Sequence, residues 1–133
     1  VLIMGMGRTG TAAYEYLQHK THLAALDSDP AKVFSHQQQG LNVFFADAED
    51  QILWQGLDLS KIKAVLLCMS DLEAKLIAAR KLRDAGFGGL IVSHSMHNDE
   101  AKAIIAAGAD HTYLTMSEAG LGLAERVRQH ISL

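Results

Sequence analysis

The chain has 133 residues, 49% of them hydrophobic and 20% charged, with one proline and one cysteine. This composition fits one globular domain with its own core and excludes a disordered chain or an intrachain disulfide. A formal net charge of -3 without a Lys/Arg cluster disfavours a nucleic-acid partner. No apolar run reaches the roughly 18 residues that crossing a bilayer requires, no signal peptide is visible, and the single cysteine fits a reducing compartment.

Residues 1–4 read as a buried strand at the very start of the chain, so the 133 residues are expected to be one domain of a longer protein. A helix follows over 8–19, with Ala12, Ala13, Tyr16 and Leu17 near one side. The second strand covers 22–27, and the next helix runs from Asp29-Pro30 to about Gln39. Asp29 supplies a side-chain cap, and Pro30 has no amide to leave unpaired at the first helical position. Gly40 closes that helix. The third strand spans 42–45, and a helix over 47–55 ends near Gly56. An almost wholly apolar fourth strand, 64–69, leads into the longest predicted helix, 71–85, with Leu72, Leu76, Ala79 and Leu82 or Arg83 at helical spacing. Strand five at 89–93, a helix at 98–107 closed by Gly108, a short strand at 110–114 and a last helix at 117–130 complete the chain. That last helix carries Gly120 and Gly122, where an interruption is expected.

Apolar strands alternating with amphipathic helices indicate a parallel sheet covered on both faces. The expected fold is α/β: a Rossmann-like, doubly wound, six-stranded parallel sheet in three α/β/α layers, ordered 3-2-1-4-5-6. The segment Gly5-Met6-Gly7-Arg8-Thr9-Gly10 directly follows the first strand and opens the first helix. Alone, three glycines at this spacing are a weak signal, and their position between strand and helix gives it weight. Gly5 suits a tight turn, Gly7 leaves room for a phosphate, and Gly10 allows close helix–strand contact. Asp27 closes the second strand about 20 residues later, where an acid meets a ribose hydroxyl in such folds and repels a 2′-phosphate. The alternative is a structural turn with a surface acid. Arg8 reads as a phosphate clamp or a solvent-exposed arginine, and Thr9 as a hydroxyl donor or a helix-start residue.

These residues resemble the nucleotide-binding domain of the potassium-transport regulators, the TrkA-N, KTN or RCK type, and within it the cytoplasmic domain of Kef-type glutathione-regulated potassium-efflux antiporters. The likeness covers essentially the whole chain. It rests on the glycine turn, Leu26-Asp27-Ser28-Asp29-Pro30, the segment 40–48, Cys68-Met69-Ser70-Asp71, the turn 106–110 and Ser117-Glu118-Ala119-Gly120. Ala46-Asp47-Ala48 stands where the family usually has Gly-Asp-Ala. The resemblance implies that Asp27 lies at the ribose with Ser28 beside it in the nucleotide site, Asp47 and Ala48 at the adenine edge, and Met69 and Ser70 along the cleft. It further implies NAD(H) or AMP as ligand. The domain would be a homodimer joined through the helix after strand five and residues 114–123. Its partner would be a membrane cation transporter, or a transmembrane part of the same chain, with the domain on the cytoplasmic side of an inner membrane.

From the residues alone, Asp47 reads as an adenine contact or a helix cap, and His94 as a loop histidine or a contact to the far half of a dinucleotide. His94, His97 and Asp99 have metal-like spacing without further ligands, so no metal is expected. Cys68 reads as a buried thiol and Trp54 as core or interface. The chain has no Tyr-x-x-x-Lys pair and no general base with a partner, so a regulatory domain without catalysis is expected. A fragment of an NAD-dependent oxidoreductase and a nucleotide-free interaction module are the alternatives.

Overall fold

The computed structural model describes residues 1–133. In chain order the elements are β1 (Leu2–Met4), α1 (Arg8–Leu17), β2 (Ala24–Asp27), α2 (Pro30–Gln38), β3 (Val43–Phe45), α3 (Gln51–Gly56), a single 3₁₀ turn at Leu59–Lys61, β4 (Ala64–Leu67), α4 (Leu72–Asp84), β5 (Leu90–Ser95), α5 (Asn98–Ala107), β6 (His111–Leu114) and α6 (Thr115–His130). All five strand pairings are parallel, and the order is β3-β2-β1-β4-β5-β6, as expected. The central strand pairs Ile3 with both Ala25 and Leu66. Its three residues are all buried, which is why it reads as continuously apolar.

Two apolar clusters flank the sheet. On one face Leu2, Met4, Val65, Leu67 and Ile91 pack with Leu76, Ala78, Ala79 and Leu82 of α4, Ile104 of α5 and Trp54 of α3. On the other, Ile3, Ala25 and Val43 pack with Met6, Tyr14 of α1 and Val33 of α2. The second cluster is smaller because α1 and α2 cover only the β1–β3 half of that face. Over β4–β6, Leu66, Val92 and Thr112 line an open groove of about 430 Å³.

Four expectations are corrected. The inward side of α1 is Gly10 and Tyr14, and Tyr16 is 70% exposed with Lys20 over its ring. The Tyr14 hydroxyl accepts from the Asn42 amide at 2.8 Å, which fixes the helix by that residue. The longest helix is α6, with 16 residues against 13 in α4. It runs through Gly120 and Gly122 without a break, yet buries no residue. The helix expected from residue 47 starts at Gln51, because Asp47 closes a turn of its own and Asp50 caps α3 through the Ile52 amide.

Candidate functional site

The site is built where the strand order reverses, at the carboxyl ends of β1, β2 and β4, the usual place for a ligand crevice in an open α/β sheet. Gly5 leaves β1 with φ +98°, and its amide donates to the Leu26 carbonyl at 2.8 Å. A side chain there would lie 2.7 Å from the Met69 backbone nitrogen. Gly10 is tighter still: a Cβ would fall 1.8 Å from the Gly5 carbonyl oxygen. The chain therefore turns in the narrow space between α1 and the end of β4. Gly7 precedes α1 without a side-chain cap and no acid lies in the first turn, so the leading amides have no carboxylate acceptor.

Asp27 ties this turn to the next. Its Oδ2 accepts from the Met6 amide at 2.7 Å and its Oδ1 from the Asp29 amide at 2.8 Å. The side chain is nearly buried yet still borders the cleft. The Met6 carbonyl accepts from His36 Nε2 at 2.9 Å and from the Thr11 hydroxyl at 3.3 Å. Across the cleft, Trp54 Nε1 donates to the Ala48 carbonyl at 2.8 Å and holds the loop that carries Asp47 and Ala48. This gives the buried indole a specific task beyond core filling.

The resulting cleft has a volume of about 620 Å³. Gly5, Gly7, Arg8, Thr9, Asp27, Ser28, Asp47, Ala48, Met69 and Ser70 all border it, so residues from four separate loops meet. Met6 and Gly10 do not. The Met6 side chain is 1% exposed and fills the core under α1, leaving only its backbone at the turn. Gly10 is buried against Gly5. Asp47 accepts from the Glu49 amide at 2.9 Å, so it is a turn-former and not the cap of α3.

The cleft also takes in Lys32, Glu49, Asp71 and His94. Lys32 and Glu49 carried no sequence signal, because a charged residue in a first helical turn or a loop looks the same in solvent as in a cleft, and Asp71 was marked only as part of the segment 68–71 at the start of α4. His94 is held by Lys75, a 2% exposed residue of α4 whose Nζ donates to the His94 carbonyl at 2.7 Å and lies 3.1 Å from Nδ1. An ammonium can only donate, so Nδ1 accepts and the ring proton sits on Nε2. That Nε2 is buried without a partner. Burial pushes both groups below their ordinary pKa, and the Lys75 charge adds to the effect on His94. Burial also pushes the Cys68 thiol up to about 11, partly offset by Lys75, so it stays protonated at neutral pH.

The description "TrkA-N domain" names the family whose model matches residues 1–115. The chain belongs to the TrkA-N family. No match is found among curated proteins. Among solved structures, this TrkA-N chain is similar to the NAD(P)-binding domain of an exopolyphosphatase-related protein from Archaeoglobus fulgidus. The identity is 21% and the TM-score 0.87, with 96% of this chain and 97% of that one covered. It is also similar to the TrkA-N domain of the inner membrane protein ybaL from Escherichia coli, at 19% identity and TM-score 0.83, with 93% of each chain covered. A third is the Kef C-terminal domain of Shewanella denitrificans in its AMP-bound form, at 19% identity and TM-score 0.74, with 98% of this chain and 81% of that one covered. At these identities the likeness is one of fold, and the six-stranded Rossmann-like sheet is common to them.

Proposed function

We propose that this TrkA-N domain binds an adenine nucleotide, NAD(H) or AMP, and regulates a potassium-efflux or other monovalent cation:proton antiport system. The observation that carries the reading is the meeting of the glycine turn, the Asp27 carboxylate and the loops holding Asp47, Ala48, Met69 and Ser70 around one cleft. In that cleft the phosphate lies over Gly7 and the leading amides of α1, with Arg8 as its fork. The ribose meets Ser28 and Asp27, and the Asp27 carboxylate keeps lone pairs free after accepting two amides. The adenine lies towards Asp47 and Ala48. The AMP in the Kef domain and the NAD(P)-binding domain among the similar folds support this ligand class.

The domain acts by binding and not by catalysis. His94 has its Nδ1 engaged by Lys75, and the neighbouring Ser93 hydroxyl bonds to the Leu67 and His94 carbonyls. The domain works as a homodimer. α6 presents Met116, Leu121, Leu123 and Val127 to solvent, each at least 49% exposed, and the uncovered groove over β4–β6 lies on the same chain. A second copy that contributes its α5 and residues 114–123 buries this surface. The regulated partner is a membrane cation transporter, in the same chain or a separate one, and the domain stands on the cytoplasmic side of an inner membrane. No helix here is long and apolar enough to cross a membrane.

The test is a paired calorimetric titration of wild type and Arg8→Ala with AMP and with adenosine. Arg8 is exposed and outside the core, so the variant keeps its fold. AMP affinity is expected to fall about tenfold, the worth of one charge-assisted hydrogen bond, with adenosine unchanged. No adenine-nucleotide binding by the wild type would refute the proposal. Equal losses for both ligands would mean a damaged turn in place of a lost phosphate contact.

A further inference from the structure

Three of the four phenylalanines of the chain are exposed, and they lie around one edge of the sheet. Phe34 of α2 is 65% exposed, Phe44 and Phe45 of β3 are 50% and 59% exposed, and only Phe87 is buried. β3 is an outer strand. It pairs Val43 with Ala25, both in the cluster under α1 and α2, so Phe45, two residues on, lies on that same face. Phe44 pairs with Leu26 and lies on the opposite face, that of α3 and α4. Gln37 of α2 donates to the Val43 carbonyl at 2.8 Å, which sets that side of the helix against the start of β3. Phe34 is on the same side of α2, one turn earlier and about 5 Å along the helix. Phe45 is about 7 Å along β3 from Val43. Because α2 and β3 run in opposite directions, both steps lead the same way, and Phe34 and Phe45 stand at one level.

Acids follow directly. Asp47, Glu49 and Asp50 lie in the loop after Phe45, all three exposed and none in an ion pair. No Lys or Arg occurs between Lys32 and Lys61. Lys32 sends its Nζ towards Gly7, and Lys61 pairs with Asp58. The edge is thus apolar with an acidic border. That border repels anionic lipid headgroups. A second copy would set the same acids against themselves, and the surface proposed above for it lies on the β4–β6 half, towards the other edge of the sheet. The Gln37 side chain already occupies the Val43 carbonyl, so an added strand finds the edge blunted. An amphipathic helix fits, with apolar side chains for the rings and Lys or Arg for the acids.

We propose that the β3 edge is the docking surface for a basic amphipathic segment of the membrane partner. This rests on the regulatory reading above and names the part of the partner involved, since segments flanking membrane spans on the cytoplasmic side carry an excess of Lys and Arg. One loop serves both sites. Ala46, Asp47, Ala48 and Glu49 border the nucleotide cleft, and they continue β3 directly beyond Phe45. A nucleotide that contacts this loop from the cleft alters the acids that the segment meets from outside, and the resulting coupling acts in both directions.

Fluorescence anisotropy of a labelled amphipathic Leu–Lys peptide tests the proposal, with a Leu–Glu peptide of the same pattern and phosphatidylglycerol vesicles as comparisons. Wild type is expected to bind the Leu–Lys peptide at least about tenfold more tightly than the Leu–Glu one. In the double variant Phe34→Gln, Phe45→Thr, which keeps helix and strand propensity, that binding should fall at least about tenfold with the urea midpoint and AMP affinity little changed. Phe34→Gln alone, on an exposed helix side, should show part of the same loss. Saturating AMP should change the wild-type affinity for the peptide at least about fivefold. Equal binding of the two peptides or no loss in the variants would overturn the proposal. So would vesicle binding that the double variant loses, or a wild-type dimer that it breaks into monomers. Peptide affinity that bound AMP leaves unaltered would overturn the coupling through residues 46–49. Peptide binding with these charge and ring dependences in a protein that takes no adenine nucleotide would refute the nucleotide reading and leave the docking surface standing.

Discussion

Asp27 serves the fold as well as the ligand, and its replacement by alanine separates the two. Its carboxylate accepts from the Met6 amide at 2.7 Å and from the Asp29 amide at 2.8 Å. Hydrogen bonds to a charged group contribute about 1.5–3 kcal/mol each. The low end is taken here as a minimum, because the carboxylate borders an open cleft while the Met6 amide it holds is buried. The variant should therefore lose about 3 kcal/mol of stability, or about 10–15 °C in Tm for a domain of this size. A domain of ordinary stability, 5–15 kcal/mol, remains folded after that loss. Urea unfolding followed through the single tryptophan, Trp54, which is 9% exposed, measures it. An unchanged m-value certifies that the same surface is exposed on unfolding. Asp27→Asn keeps one acceptor and turns its NH₂ towards the other amide, so its loss should be about half as large. Affinity for AMP should also fall several-fold in both variants, measured well below their unfolding midpoints. If Asp27→Ala lost less than about 0.5 kcal/mol, an ordinary surface effect, the carboxylate would not be holding the two turns together.

Two further outcomes follow from the geometry. Gly10→Ala places its Cβ 1.8 Å from the Gly5 carbonyl oxygen, backbone that cannot yield, and should cost more than about 3 kcal/mol. Gly7→Ala meets nothing nearer than Lys32 Nζ at 4.0 Å, so it should leave the urea midpoint almost unchanged while weakening phosphate-bearing ligands; equal destabilisation of the two variants would refute the packing argument. His94 should make stability depend on pH. Burial and Lys75 lower its folded pKa below the ordinary 6.5, so between the two values the unfolded chain binds more protons and stability rises with pH. The urea midpoint of wild type should thus fall as pH drops through 6.5, and His94→Asn should flatten this part of the profile. An unaltered slope in the variant would assign the effect elsewhere.

Much of the architecture was legible from local chemistry. Strands that are apolar along their length, helices opened by Asp29 and Asp71, and a glycine turn directly after the first strand identify a parallel doubly wound sheet and the position of its crevice. These signals are local because parallel strands bury both faces and because helix starts need acceptors for their free amides. Tertiary structure decided which charged residues face the cleft and which helix sides are covered. The α1 pattern placed Tyr16 with Ala12, Ala13 and Leu17 on one side, whereas the structure turns Tyr14 inward, where its hydroxyl accepts from the Asn42 amide. Lys75 looks like an exposed lysine in the sequence, yet it is 2% exposed because the His94 carbonyl and ring nitrogen accept from it. Lys32 borders the cleft only because α2 shares the β1–β3 face with α1 and the long side chain of Lys32 ends 4.0 Å from where a Cβ on Gly7 would lie. The periodicity of α6 likewise marks an apolar side but not what covers it, since burial depends on surfaces far away in the chain or on another copy of it.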